Sequence, residues 1–300
     1  MTVGRFAPSP TGPLHFGSLV AAIASYLAAR QVGGKWLLRI EDLDKPREQA
    51  GAADSIIQTL QAFGFEWDAE ILYQSQRLAA YHEALAHLKP HTYPCYCSRK
   101  DIQQHGHMGE YGLIYPGTCR NRQQTPSTQQ HSIRLRTHDK PVCFTDAVRG
   151  EYCQQLESEL GDFVILRADG FFAYQLAVVV DDEFQGVNQI VRGADLLDNT
   201  PRQLYLQQLL AFRQPVYAHV PLVLNAQGQK LSKQNLAPAI TAEHRIRTLL
   251  AAMRFLGQTC PTTNSFATLT EFWDWAIANW DMSKVPRIHA QAFTDDDIAT

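Results

Sequence analysis

The sequence predicts an α/β fold with a parallel sheet, and three observations carry that prediction. Apolar runs of strand length alternate with segments of helical spacing in the early part of the chain. Clusters of Pro and Gly separate them. The polar residues with chemical potential sit where the apolar runs stop, which in a parallel sheet is the edge that binds ligands.

Val3–Phe6 reads as a short buried strand. Residues 7–13, Ala-Pro-Ser-Pro-Thr-Gly-Pro, cannot continue as strand or helix. Leu14, His15, Phe16, Gly17 and Ser18 lead into a helix on which Leu19, Val20, Ile23, Tyr26 and Leu27 keep helical spacing. Gly33 and Gly34 end it, and Lys35–Ile40 is a second strand that stops at Glu41 and Asp42. Pro46 is expected to open another helix, with Ile56, Ile57, Leu60 and Phe63 on one face. Strand, helix, strand, helix at this spacing is a βαβ unit.

A third helix carries Leu78, Tyr81, Leu85 and Leu88. A segment rich in Cys, His, Gly and Tyr follows, from about 91 to 122. Residues 132–136 alternate as a half-buried strand does. Residues 162–167 and 171–174 read as two strands joined at the hairpin turn Ala168-Asp169-Gly170. Residues 187–193 return to strand, and 201–212 form a helix with Leu204, Tyr205, Leu209 and Phe212 inside. Residues 219–225 lead through a Gly-containing turn to the polar loop Lys230-Leu231-Ser232-Lys233-Gln234. Two further helical segments are expected near 242–256 and 268–280.

Composition narrows the function classes. The 300 residues are 45% hydrophobic and 19% charged, the profile of a globular protein with a real core. The net charge is −3, so a nucleic-acid partner has to be held by a local basic patch. No apolar run approaches the roughly 18–20 residues of a membrane span. No secretory signal is recognised, so a cytoplasmic location is expected. Cysteines stand at 95, 97, 119, 143, 153 and 260. They are too few for a disulfide scaffold, and all are expected to be reduced.

Three constellations carry chemistry. His15-Phe16-Gly17-Ser18 lies at a strand-to-helix turn, where free backbone N–H groups and a partial positive charge make an anion site. Gly17 is expected to let a flat group approach the backbone. Lys230 and Lys233 flank Ser232 in a polar loop, and two ammonium groups suit the charge that grows on a leaving pyrophosphate. Cys95, Cys97 and Cys119 are three thiols suited to a tetrahedral Zn²⁺ at about 2.3 Å per sulfur. On spacing alone, His105 and His107 are candidates for a fourth ligand.

In this order, the first two constellations resemble the paired ATP-binding signatures of class I aminoacyl-tRNA synthetases. Further blocks sharpen the likeness. Residues 5–15 (Arg-Phe-Ala-Pro-Ser-Pro-Thr-Gly-Pro-Leu-His) resemble the opening of glutamyl-tRNA synthetases. So do 38–44 (Leu-Arg-Ile-Glu-Asp-Leu-Asp), 179–182 (Val-Val-Asp-Asp) and 191–195 (Val-Arg-Gly-Ala-Asp). The likeness runs from Arg5 to about Gln234. Within that group the chain most resembles the shortened glutamyl-Q tRNA(Asp) synthetases. The reason is that little chain follows Lys233, and a remnant that size packs to a radius of gyration of roughly 11 Å. It is not expected to reach from one end of a tRNA to the other.

The resemblance implies a Rossmann-like catalytic core over 1–88 and 188–234 and a zinc-bearing α+β insertion over 89–187, where the acceptor would bind. It implies a helical C-terminal region over 235–300 with no separate anticodon-binding domain. The implied activity is ATP-dependent formation of glutamyl-adenylate, with Mg²⁺, and transfer of glutamate to queuosine in the anticodon of tRNA(Asp). Carried over residue by residue, His15, Lys230 and Lys233 are catalytic. Pro8, His15, Gly17, Ser18, Lys230, Leu231, Ser232 and Lys233 bind ATP. Arg5, Ala7, Ser9, Glu41, Tyr174 and Arg192 bind glutamate, with Glu41 facing its ammonium. For zinc the resemblance points to Tyr115 beside Cys95, Cys97 and Cys119.

The chain departs from the wider pattern at four places. Ser18 replaces a second His, Leu231 a Met and Gln234 a final Ser, and Val178 stands where ordinary glutamate enzymes carry an Asn. Competing readings are a glutamyl-tRNA synthetase core that charges the tRNA 3′ end, a non-catalytic tRNA-binding paralogue, and a nucleotidyltransferase making a small cofactor.

Overall fold

The computed structural model describes residues 1–122, 130–231 and 239–294. Strands β1 (Val3–Phe6) and β2 (Lys35–Ile40) pair in parallel, with Arg5 opposite Leu37, and helix α1 (Phe16–Arg30) connects them. After α2 (Ala52–Ala62), β3 (Leu72–Tyr73) joins β2, also in parallel. All of β2 but its first residue is buried, as expected of a strand covered on both faces. Pro46 opens only a single 3₁₀ turn, Lys45–Arg47, and not the helix expected there. Helix α2 begins after Gly51, whose φ of 75° reverses the chain without steric cost.

The middle of the chain is antiparallel. Helix α3 (Leu78–His87) leads to β4 (Thr92–Cys95), α4 (Arg99–His105) and the small hairpin β5 (His107–Gly109) and β6 (Gly112–Ile114). Then come β7 (Ser132–Leu135), the hairpin β8 (Val142–Asp146) and β9 (Gly150–Gln154), the short α5 (Leu156–Glu159) and β10 (Phe163–Leu166). Strand β7 is the centre of a sheet in the order β10-β7-β4.

Two sequence expectations fail in this region. Residues 171–174 are not a strand. The hairpin closes with one bridge, Leu166 to Phe172, and Tyr174 then starts helix α6 (Tyr174–Phe184). The run Val178-Val179-Val180 hides the helix because α6 is buried on nearly every side and shows no polar face. The cysteines are not all reduced either. Cys143 and Cys153 face each other across β8 and β9, 4.1 Å apart at Cα, and are joined as a disulfide. Antiparallel register brought the two thiols together, and register is not visible in a count of cysteines.

The chain returns to parallel pairing with β11 (Gln189–Gly193) and β12 (Val216–Val220), linked by α7 (Thr200–Leu209). Asn188 fixes β11 beside β1. Its N–H donates to Val3 O at 3.1 Å, and its Oδ1 accepts from Val3 N at 2.9 Å. Strand β13 (Leu222–Leu224), helices α8 (Arg245–Phe255) and α9 (Leu269–Asn279), and β14 (Ala290–Ala292), which pairs with β13, follow among the described residues.

The main core joins the sheet, α1 and the last two helices. At its centre the Trp36 and Phe65 rings lie 5.5 Å apart. The Trp273 ring packs 4.8 Å from both Phe65 and Tyr26, and its Nε1–H donates to Phe63 O at 3.0 Å. Trp273 is therefore the bolt between α9 and the sheet. Trp273→Ala should lower unfolding stability by about 3–5 kcal/mol, measured as a shift in urea midpoint. A loss below about 1 kcal/mol would show that α9 docks without it.

Candidate active site and metal cluster

Four distant segments meet at the ends of β1, β2 and β11. Arg5, 3% exposed on β1, donates from Nε to Asp182 Oδ1 of α6 at 3.2 Å. Arg39 of β2 reaches the same oxygen at 2.8 Å, Glu41 Oε1 at 3.4 Å and Gln185 Oε1 at 2.7 Å. The Glu41 N–H donates to Pro8 O at 3.0 Å, which pins the Pro-rich loop carrying Ala7 and Ser9 against the end of β2. Arg192 of β11 donates from one terminal nitrogen to the Tyr174 hydroxyl at 3.3 Å. That hydroxyl lies in the combined field of Arg192, Glu41 and Arg5. Arg5, Glu41, Tyr174 and Arg192, separated widely in sequence, thus form one cluster.

The charges of this cluster are balanced by burial. Burial pushes the Glu41 carboxyl up, against the pull of Arg39 and Arg5. Burial also works on Asp182, but Arg39 and Arg5 overcome it and hold that carboxyl below its usual range. Burial raises the Tyr174 phenol, so it stays a neutral hydrogen-bonding group. Val178 lies one helical turn from both Tyr174 and Asp182 and is buried, which puts an apolar wall on the face of α6 that carries them.

Arg192 has a second set of partners. Its Nε–H donates to His219 Nε2 at 3.0 Å, and its other terminal nitrogen to Thr200 Oγ1 at 2.8 Å. His219 is the neighbour of Arg192 in the β11–β12 register. The other imidazole nitrogen, Nδ1, is 2.6 Å from Asp146 Oδ2. Burial drives the His219 pKa down to about 4 despite that carboxylate.

His15 is the N-cap of α1. The Ser18 N–H donates to its Nδ1 at 3.2 Å, and the Ser18 hydroxyl lies 3.2 Å from its Nε2. A Cβ on Gly17 would sit 3.2 Å from this imidazole, so Gly17 makes room for the ring of His15 itself. Lys230 is ion-paired with Asp195, just past β11. Phe16 and Leu231, one residue from each motif, line one cavity of about 480 Å³. Ser232, Lys233 and Gln234 fall outside the described residues.

The three cysteines that the sequence nominates for a metal also converge. The sulfurs of Cys95, Cys97 and Cys119 all lie within 4.8 Å of one another, and Cys97 and Cys119 are 3.6 Å apart. A tetrahedral site with 2.3 Å metal–sulfur bonds has edges of about 3.8 Å, so the set fits one ion. Neither His105 nor His107 belongs to this group. The Tyr115 hydroxyl does reach it, 3.4 Å from Cys95 Sγ and 3.8 Å from Cys97 Sγ, and it accepts the Cys119 N–H at 2.9 Å. Arg134 donates from Nε to Cys95 Sγ at 3.2 Å, and its guanidinium lies 3.8 Å above the Tyr115 ring. Burial alone would raise the Cys95 thiol, but hydrogen bonds from Tyr115 and Arg134 hold it below its ordinary value.

Comparison with known proteins places this geometry. Residues 1–291 match the family described as tRNA synthetases class I (E and Q), catalytic domain. A glutamyl-Q tRNA(Asp) synthetase of Neisseria meningitidis serogroup A is 55% identical over 291 residues, covering 96% of this chain and 98% of the relative. Another, from Dechloromonas aromatica, is 52% identical over 288 residues and 95% of each chain. The chain belongs to the glutamyl-Q tRNA(Asp) synthetase family. It is a class I synthetase, an enzyme of the ligase type. The solved glutamate-tRNA synthetase of Elizabethkingia anophelis shares the fold, with a TM-score of 0.79 at 24% identity over 99% of this chain and 69% of that one.

The structure brings together Arg5, Glu41, Tyr174 and Arg192, which the sequence nominates, and adds side chains that hold them and that the sequence does not nominate. Asp182 and Arg39 lay inside recognised blocks without an assigned role. His219 and Asp146 had none. The available signal was a histidine in an otherwise apolar strand, and it became legible only once β12 was known to pair with β11.

Proposed function

We propose that this chain activates L-glutamate with ATP and transfers it to queuosine in the anticodon of tRNA(Asp). The observation that carries the reading is the cluster of Arg5, Glu41, Tyr174 and Arg192, in a chain whose α1 also starts at a His15 cap. Glutamate brings one ammonium and two carboxylates. Glu41 suits the ammonium, and Arg5 and Arg192 are planar donors suited to carboxylates. Tyr174 adds a hydroxyl contact, while Ala7 and Ser9 shape the pocket.

Activation is attack of the α-carboxylate on the α-phosphorus of ATP, with pyrophosphate leaving. Positioning and charge stabilisation dominate such a step. His15, with Pro8, Gly17 and Ser18 around it, holds phosphate at the α1 N-terminus. Lys230 and Lys233, with Leu231 and Ser232 between them, meet the charge of the leaving group. For Lys230 this requires exchanging Asp195 for phosphate. Mg²⁺ bound with ATP neutralises phosphate charge.

In this reading the core, 1–88 with 188–234, is Rossmann-like, 89–187 is the zinc-bearing insertion, and 235–300 is a helical C-terminal region. Cys95, Cys97, Cys119 and Tyr115 hold one structural Zn²⁺, for which the sulfur and hydroxyl spacings suit. Such an ion would tie β4 to the segment before β7.

Three measurements test this function. Labelled glutamate should pass to queuosine-containing tRNA and survive removal of the tRNA 3′-terminal adenosine. If trimming abolishes transfer, the product is an ordinary 3′ ester and the acceptor assignment is wrong. Lys233→Ala should slow adenylate formation by about 10²–10³-fold with smaller changes in substrate binding. A rate within a few-fold of wild type removes Lys233 from the mechanism. Purified protein should hold one zinc per chain, and Cys97→Ser should lower both metal content and melting temperature. Metal-free protein with unchanged melting excludes the site.

A further inference from the structure

We infer that Asp146 and His219 form a relay that positions Arg192 for the substrate carboxylate, acting through hydrogen bonds rather than by touching the substrate. This rests on the proposed role of Arg192 in binding glutamate. The argument begins with Asp146, which is 2% exposed at the end of β8. Its Oδ1 accepts N–H groups from Val148 at 3.0 Å, Arg149 at 2.8 Å and His219 at 3.1 Å. Those contacts fix the carboxylate, and its Oδ2 lies 2.6 Å from His219 Nδ1. An ionised carboxylate only accepts, so Nδ1 carries the imidazole proton. Nε2 is then left as an acceptor, and it takes the Arg192 Nε–H at 3.0 Å.

The consequence for Arg192 is geometric. A guanidinium is a planar fork, and holding Nε sets the plane of both terminal nitrogens. Thr200 Oγ1 takes one terminal nitrogen at 2.8 Å, and the Tyr174 hydroxyl meets the other at 3.3 Å. His219 is fully buried, and Tyr217, on the same strand, stacks against it at 6.2 Å with the rings nearly parallel. The imidazole therefore has little freedom to turn. Asp146 comes from the β8–β9 hairpin, outside the parallel sheet, and a hydrogen bond from Ala147 N to Tyr217 O at 2.8 Å seats that hairpin on β12. The hairpin thus sets the tautomer of an imidazole that sets the plane of a substrate-binding guanidinium.

Substitutions at His219 separate positioning from bulk structure. His219→Asn retains a donor near Nδ1 and loses the acceptor at Nε2. His219→Gln can place an oxygen near Nε2. Asp146→Asn can donate to Nδ1 and so turn the protonated Nε2 toward Arg192, where two donors collide. The readout is glutamate-dependent ATP–pyrophosphate exchange, run with and without tRNA, together with melting temperature. We expect His219→Asn and Asp146→Asn to raise the KM for glutamate about 10–100-fold, the effect of losing a hydrogen bond to a charged group. The KM for ATP should stay within about two-fold of wild type, and His219→Gln should recover much of the loss. Equal changes in both KM values that track melting temperature, or no change in glutamate KM, would overturn the relay. Arg192→Lys is the control for the reading beneath it. An unaltered glutamate KM in that variant removes Arg192 from the substrate site. A raised one, beside a silent His219→Asn, refutes the relay alone.

Discussion

One carboxylate oxygen holds the centre of this molecule together. Asp182 Oδ1 receives Arg5 from β1 and Arg39 from β2, and all three side chains are almost wholly buried. Two guanidinium groups so close would repel strongly away from water, and a single anion between them turns repulsion into a clamp. Removing one member of such a set usually costs about 3–5 kcal/mol, because the remaining charges are left buried without compensation. The clamp also fixes α6 across the strand ends. The adjacent Asp181, about 100° round the helix, holds a different set of partners. It accepts the Tyr81 hydroxyl at 2.6 Å, Gln74 Nε2 at 3.0 Å and Arg77 Nε at 3.2 Å. Helix α6 is therefore tied on two sides, and that places Tyr174, its first residue, over the site.

This arrangement explains what was legible beforehand. The βαβ opening could be read because its helix and strands keep clean periods and their ends carry Pro and Gly. Arg5, Glu41 and Arg192 could be named because they stand in blocks that resemble the glutamyl-tRNA synthetases, whereas Arg39, an equally rare charge inside an apolar strand, drew no role. Their partners could not be read, since Asp182 and Asp146 meet them across 177 and, through His219, 73 residues. The same holds for Cys143 and Cys153, which are opposed only by hairpin register. Helix α6 was obscured because tertiary burial overrode the local signal: three consecutive valines suit a strand, yet the surrounding core accepts them as a helix. Tyr115 is named by the family resemblance and by no spacing rule, and the fold carries its hydroxyl into the cysteine cluster.

The cysteine cluster is itself built into an arginine-rich framework. The sequence offers Arg120, Arg122, Arg134 and Arg136 around it as a basic patch for an RNA partner. The structure divides them. Arg134 is buried against Cys95 and Tyr115 and donates to Asp162 O at 2.6 Å. Arg120 is held by Glu157 at 2.8 Å, Asp162 at 3.1 Å and Thr137 O at 2.8 Å. These two organise the segments around the cysteines. Cys95 and Asp162 are both electron-rich and buried, so a cation between them serves packing before it serves any ligand.

The division bears on how an RNA would be held. Arg136 lies over the Tyr93 ring at 4.7 Å and Arg122 over Tyr96 at 5.4 Å, so the remaining pair of arginines is spread on aromatic faces. A guanidinium stacked this way loses little further freedom when it meets a phosphate or a base, because its plane is already set. With a net charge of −3 and half of the local arginines committed inside, affinity for RNA on the proposed reading cannot rest on a broad cationic surface. It has to come from few, pre-oriented contacts and from the shape of an unpaired loop whose bases can leave the stack. That requirement suits a single-stranded anticodon loop better than a long helical arm, whose recognition depends on many phosphates along its length.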